Sequence, residues 1–261
     1  CNLRCIYCMP EEGVKNICHE KILSYDEISR ICAVLAGHGL KKIKITGGEP
    51  LVRKNMPVLI RELKAIPGIQ SVTLTTNGVL LESYYDALID AGIDAVTVSL
   101  DTTERDVYQR ITRRDELNSV LRGIEKAIAE NRVRLKINCV SAIGVETQNL
   151  LSLLHYAERA DVDVRFIEMM PIGYGKQFQT IDHRTLLSQL KEAYPDLKED
   201  ERIHGFGPAV YYQSKSLKGS IGLISAIHGK FCSSCNRVRL TAQGYLKTCL
   251  CYDDGADLRE V

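Results

Sequence analysis

Two features of the sequence predict an α/β fold built on a parallel sheet. Short apolar stretches alternate with amphipathic ones in five strand–helix repeats of roughly 30 residues, the pattern of parallel strands joined by right-handed crossovers. Residues suited to chemistry cluster directly after those strands, where α/β barrels gather their sites.

Taken in order, the first repeat opens with a helix over 24–38. Ser24 can cap it, Glu27 completes a capping box, and Ile28, Ile31, Cys32 and Leu35 share one face. Gly37 and Gly39 end it, and a strand follows over 42–46. A helix over 56–66 leads to a strand over 71–76. A helix over 82–91 leads to a strand over 95–100, whose Val96, Val98 and Leu100 alternate. Further helix–strand pairs fall at 118–130 and 134–140, and at 148–160 and 162–169, before a last helix over 182–193. From about Gly205 the composition turns to Gly, Ser and Tyr, so residues 1–204 and 205–261 are read as separate regions.

A chain of 261 residues suits one large domain, or one with a small appendage. Hydrophobic residues at 45% and charged residues at 26% describe a globular protein. No apolar run approaches the roughly 20 residues of a membrane helix, so no membrane partner is expected. A net charge of +1 offers no global field for nucleic acid. Neither a signal peptide nor an initiator Met precedes Cys1, so the chain is expected to be trimmed at its N-terminus. Ten cysteines in tight clusters point to metal in a reducing compartment, read as the cytoplasm.

The first cluster is Cys1, Cys5 and Cys8, a Cys-x3-Cys-x2-Cys run. Three sulfurs so spaced can converge on one polynuclear centre. In a four-iron four-sulfur cluster they leave one iron open and reactive. Structural zinc is the alternative and needs a fourth ligand, which Cys18 or His19 could supply. The second cluster is Cys232, Cys235 and Cys249, with thirteen residues between the last two. Its spacing leaves open both an iron–sulfur centre and a zinc ribbon completed by Cys251 or His228. Arg237 and Arg239 project to one side if their segment is extended. Guanidinium forks bind phosphates and purine edges, and the alternative is a solvated, salt-bridged strand.

The strand ends hold Gly47-Gly48-Glu49-Pro50, Thr75-Thr76-Asn77-Gly78, Ser99-Leu100-Asp101 and Glu168-Met169-Met170-Pro171. The paired glycines let a backbone pass close to a ligand, or simply turn. Met169 and Met170 suit a binding rim or a core gap equally. Lys44 and Lys136 fall inside strands; a lone strand lysine is usually an edge or surface residue, but two pointing into a barrel need an anion. No Ser-His-Asp set and no general base stand out.

The first thiol run resembles the signature of the radical S-adenosylmethionine superfamily, and Gly47–Pro50, some forty residues later, resembles its Gly-Gly-Glu-Pro motif. In that superfamily the open iron is chelated by the amino and carboxylate groups of S-adenosyl-L-methionine, and an electron then releases a 5′-deoxyadenosyl radical. The resemblance implies an open (βα)6 partial TIM-type barrel, lacking its first strand in this chain, with a C-terminal iron–sulfur region. Within the superfamily the whole chain resembles the GTP 3′,8-cyclases of molybdenum cofactor biosynthesis. The motifs are Cys-Asn-Leu-Arg-Cys-Ile-Tyr-Cys-Met-Pro, Ile-Thr-Gly-Gly-Glu-Pro-Leu-Val-Arg, Leu-Thr-Thr-Asn-Gly, Val-Ser-Leu-Asp, Arg-Phe-Ile-Glu-Met-Met-Pro and Phe-Cys-Ser-Ser-Cys-Asn-Arg-Val-Arg-Leu-Thr. The last is the most specific.

That resemblance implies two 4Fe-4S clusters, one on Cys1, Cys5 and Cys8 and one on Cys232, Cys235 and Cys249. It implies that Tyr7, Gly48, Ser99 and Met170 contact S-adenosyl-L-methionine. Lys44, Thr75, Lys136, Arg237, Val238 and Arg239 would bind GTP, with guanine on the open iron of the second cluster. The implied reaction takes the 3′ hydrogen of GTP and closes the sugar onto carbon 8 of guanine. It also implies a flavodoxin or ferredoxin as reductant, a downstream cyclic pyranopterin monophosphate synthase, and room for a homodimer. The family's upstream phosphate-holding arginine and its Gly-Gly tail fall outside these residues, so truncation at both ends is expected. Cys251 is an extra thiol that could occupy the open iron. Two other readings stay open: a peptide-maturing radical enzyme with auxiliary clusters, and a non-catalytic zinc or iron–sulfur module.

Overall fold

The computed structural model describes residues 1–15, 17–143, 150–229 and 231–260. Helix α1 (Tyr25–Gly37) starts with both halves of the capping box: the Ser24 hydroxyl accepts from Glu27 N, and the Glu27 carboxylate accepts from Ser24 N. Gly39 follows it with φ +98°, in the left-handed region glycine favours. The parallel strands β1 (Lys42–Ile45), β2 (Ser71–Thr76), β3 (Ala95–Ser99), β4 (Arg134–Ile143) and β5 (Asp163–Glu168) pair in that order. Helices α2 (Met56–Ala65), α3 (Leu81–Asp90), α4 (Arg105–Thr112), α5 (Leu117–Glu130) and α6 (His155–Arg159) connect them.

The sequence reading leaves the stretch of α4 without an element. Only four of its eight residues are buried, Val107, Tyr108, Ile111 and Thr112, on one narrow stripe. The helix expected over 148–160 is instead a 3-10 stretch, Leu150–Leu154, running into the short α6; positions 148 and 149 lie outside the described residues. A two-residue β6 (Gln179–Thr180) pairs with the end of β4, and α7 (His183–Ala193) is capped by the Asp182 carboxylate.

The sheet then continues past residue 204. After β7 (Lys198–Glu199) and β8 (Val210–Gln213), β9 (Ser220–Ile224) lies parallel beside β5, and β8 and β7 extend the edge antiparallel. The order is β1-β2-β3-β4-β5-β9-β8-β7, and β9 is a sixth parallel strand within the chain. Its sequence, Ser-Ile-Gly-Leu-Ile, sits in a Gly- and Ser-rich stretch that hides it. A Cβ on Gly222 would stand 2.8 Å from Arg165 Cγ and 3.1 Å from the Tyr211 ring, so glycine makes room for the Arg165 side chain. A separate antiparallel sheet follows: β10 (Arg239–Leu240), β11 (Tyr245–Lys247) and β12 (Gly255–Asp257).

Alternation along the parallel strands separates two faces. Val72, Leu74, Val96, Val98, Leu135, Ile137, Val164, Phe166 and Ile221 occupy one face and are buried in the core. Each such side chain contributes about 1.5–3 kcal/mol relative to exposure. The register puts Lys44, Thr73, Thr75, Thr97, Ser99, Lys136, Asn138, Asp163 and Arg165 on the other. A core face and a polar face on one parallel sheet are what a barrel-type site requires. No helix among the described residues is long and apolar enough to cross a membrane.

Candidate functional site

The strand-end loops meet through three buried carboxylates. Glu49, in the loop after β1, accepts from Leu51 N at 3.0 Å, Thr76 Oγ1 at 2.7 Å and Asn77 N at 2.6 Å, joining the loops after β1 and β2. Burial pushes its carboxyl up against those donors. Asp101, after β3, accepts from the Tyr7 hydroxyl and, at 2.9 Å, from Val140 N. Glu168, closing β5, accepts from Ile227 N, His228 N and His228 Nδ1.

The first thiol loop is held at this rim. Arg4 N and Ile6 N donate to the carbonyls of Thr112 and Ile111, each at 2.9 Å, so the end of α4 anchors the loop. Cys8 N donates to Cys5 O at 2.9 Å, and Asn77 Nδ2 reaches Cys1 Sγ at 3.8 Å. A Cβ on Gly48 would stand 3.2 Å from Cys1 N and 3.3 Å from Cys1 Cβ, so a side chain there would crowd the first thiol residue. Tyr7, Cys5, Ser99, Asp101 and Asn77 line one pocket at this end. Met170 is half-buried just beyond β5, and Met169 beside it is buried. Burial, then Asp101 and Cys8, push the Cys5 thiol up to about 12. Burial and Asp101 push Cys8 the same way. Such thiols ionise only with positive charge beside them, which a bound metal centre supplies.

The second thiol loop differs. A 3-10 turn at Cys232–Ser234 is followed by Cys235, Arg237, exposed Val238 and Arg239. The backbone N–H and guanidinium of Arg237, with Arg239 nearby, hold the Cys235 thiol below its ordinary value. Backbone N–H groups of Cys251 and Tyr252 lower Cys249. Arg237 thus lies against Cys235, and Val238 is 50% exposed. Cys251 stays beside them, its N–H 3.4 Å from Cys249 Sγ. His228 pairs through Nδ1 with Glu168 at 2.9 Å.

Between the loops lies the polar sheet face. Lys136 is buried and already has an anion: Asp163 Oδ2 lies 2.7 Å from its ammonium, which also donates to His204 O and to Tyr211 OH at 3.2 Å. Asp163 thus supplies, from within the chain, an anion for one of the two strand lysines. Lys44 makes no ion pair among the described residues. Enclosure, then Arg165, Lys136 and Arg237, push its ammonium down to about 8. Burial takes Lys136 to about 8 as well, against the pull of Asp163. Thr75 pairs in register with Thr97, whose hydroxyl accepts from Arg165 at 3.2 Å. Arg165 Nε and Asn138 Oδ1 are buried without a hydrogen-bond partner among the described residues. Sequence reasoning missed Arg165, Asn138 and Asp163. A charged or amide residue in mid-strand, the signal used for Lys44 and Lys136, also marks these three.

Two family models match consecutive parts of the chain. Residues 1–160 match the Radical SAM superfamily, and residues 162–261 match the Molybdenum Cofactor Synthesis C family. A GTP 3′,8-cyclase of Listeria monocytogenes is 40% identical over 264 residues, covering 99% of this chain and 79% of the relative. One from Moorella thermoacetica is 41% identical over 261 residues, covering 99% and 80%. The crystal structure of Streptococcus suis SuiB superposes with a TM-score of 0.68 at 14% identity, covering all of this chain and 61% of that one, which bears on the fold alone.

Proposed function

The chain belongs to the GTP 3′,8-cyclase family of the radical SAM superfamily, and we propose that its two thiol loops and the polar sheet face between them divide that reaction as follows. The family's enzymes are lyases that convert GTP to (8S)-3′,8-cyclo-7,8-dihydroguanosine 5′-triphosphate in molybdenum cofactor biosynthesis, and this chain is one of them. Cys1, Cys5 and Cys8 hold one 4Fe-4S cluster, with Tyr7, Gly48, Ser99 and Met170 around S-adenosyl-L-methionine. Cys232, Cys235 and Cys249 hold the other. When bound, the first cluster and S-adenosyl-L-methionine supply the radical that takes hydrogen from the substrate.

The chain's own residues bind, orient and exclude water. Lys44, Lys136, Thr75 and Arg237 gather a triphosphate on the polar face, and Arg239 and Val238 border the base. The observation that carries this reading is the crowding of Lys44 by Arg165, Lys136 and Arg237 between two thiol loops. Cations so grouped are held together best by a polyanion. The buried link from Tyr7 to Asp101 fixes the aromatic ring beside the cofactor site.

We assign the electron to a flavodoxin or ferredoxin and the product to a cyclic pyranopterin monophosphate synthase, in the cytoplasm, with a homodimer compatible with this arrangement. The test is anaerobic incubation with GTP, S-adenosyl-L-methionine and a reductant. Mass spectrometry should find a product isomeric with GTP, together with 5′-deoxyadenosine. 5′-Deoxyadenosine without any nucleotide product would refute the GTP assignment.

A further inference from the structure

Glu168 ends β5 directly before Met169 and Met170, on the same strand face as Val164 and Phe166. Its carboxylate is fully buried, at 0% exposure. A buried carboxylate is costly unless hydrogen-bonded throughout. Among the described residues its donors all come from one turn: Ile227 N at 2.7 Å, His228 N at 3.1 Å and His228 Nδ1 at 2.9 Å. Burial opposes ionisation, but these donors hold the carboxyl below its ordinary value. The turn is compact, since a Cβ on Gly229 would stand 2.8 Å from Ser225 Cβ. Its leading end is held too, by a 2.9 Å hydrogen bond between Ser225 Oγ and His183 Nδ1 at the start of α7. Cys232 follows His228 by four residues, a reach of at most ~14 Å. Where His228 sits therefore limits where the second thiol loop can sit.

We propose that Glu168 is a positioning residue: it clamps the Ile227–His228 turn to the rim carrying Met169 and Met170, and so sets the C-terminal thiol loop at its working distance from the first. This rests on the two-cluster reading above. The N-terminal trio is held independently, by the carbonyls of Ile111 and Thr112. Loss of the clamp is therefore felt at one centre and not the other.

The test uses the full chain, reconstituted anaerobically, with Glu168→Ala, Glu168→Gln and His228→Ala. Glu168→Ala should keep the iron of the Cys1, Cys5 and Cys8 site. It should bind GTP at least tenfold more weakly and lose the GTP-induced change in the paramagnetic resonance of the second cluster. Glu168→Gln keeps one acceptor oxygen and should fall between. His228→Ala should cost severalfold, and that cost should vanish in the Glu168→Ala background, where its partner is gone. Glu168→Ala with a lowered melting midpoint but wild-type GTP affinity and spectrum would overturn the clamp. If Glu168→Ala does not fold, wild-type affinity in both other variants overturns it equally. A wild-type protein whose second cluster ignores GTP would overturn the substrate assignment itself, a result independent of position 168.

Discussion

Lys44 and Lys136 stand on the same face of the sheet, yet among the described residues only Lys136 has a counter-ion within the chain. Both ammonium groups are pushed down to about 8, Lys44 by enclosure and neighbouring cations, Lys136 by burial against the pull of Asp163. An unfolded lysine titrates near 10.4. Between these values the unfolded chain holds more protons, so this contribution to stability rises with pH from about 8 and levels off near 10.4. Substrate affinity runs the other way. A triphosphate favours the charged amines, so GTP binding should draw in protons near pH 8. Its dissociation constant should rise roughly tenfold or more between pH 7 and 9.5, the scale of a charge-assisted contact. Calorimetry in two buffers of different ionisation enthalpy measures the uptake. Lys44→Met should weaken binding at pH 7 and flatten the profile. A pH-independent dissociation constant would remove both lysines from the phosphate site. The charged mid-strand residue was visible in the sequence, but its partner was not. Asp163 lies 27 positions from Lys136, and only the β4–β5 register brings them together.

Helix α1 shows what local chemistry can specify by itself. Ser24 and Glu27 satisfy each other's backbone donors with no tertiary contact needed, and the helix starts where the pair predicts. Ser24→Ala should lower unfolding free energy by about 1 kcal/mol in urea titration and leave substrate binding unchanged. A shift within error would mean the preceding turn, whose Leu23 N donates to Ala242 O at 2.8 Å, fixes the helix start instead. The first five parallel strands were legible for a similar reason, since each alternates or runs apolar beside a helix with its own stripe. Strand β9 was not, because Gly222 interrupts its pattern for the sake of a distant neighbour, Arg165. Helix α4 was not legible because only a narrow stripe of it is buried, Val107, Tyr108, Ile111 and Thr112. Loops were legible in the thiol and Gly-Gly-Glu-Pro spacings. The carboxylates that tie loop to loop, Glu49, Asp101 and Glu168, carried no local signal of that role.

At the scale of the molecule, the two thiol loops have separate mechanical supports. The first hangs from α4 and the Gly48 turn, on the rim of the large sheet. The second has Cys232 and Cys235 before the small sheet β10–β12 and Cys249 between β11 and β12, and that sheet is tied back by Leu23 N to Ala242 O and by Arg259 to Glu20 O at 3.1 Å. Their thiols also ionise against different surroundings: burial and Asp101 oppose it at Cys5, whereas Arg237 and backbone N–H groups favour it at Cys235. No thiol of one loop supports the other, so each centre should assemble alone. In Cys5→Ser, the first site keeps two thiolates, too few to retain a cluster that already leaves one iron open. Reductive cleavage of S-adenosyl-L-methionine should therefore disappear, and iron should fall by about half, the share of one of two equal clusters. The second cluster should survive, and its resonance should still change on adding GTP, because Arg237 and Arg239 remain on its side of the polar face. Retained cofactor cleavage would show that Cys5 is no ligand of the first centre. Loss of both clusters together would show that the loops fold as one unit, despite the separate anchors seen at Thr112 and Ala242.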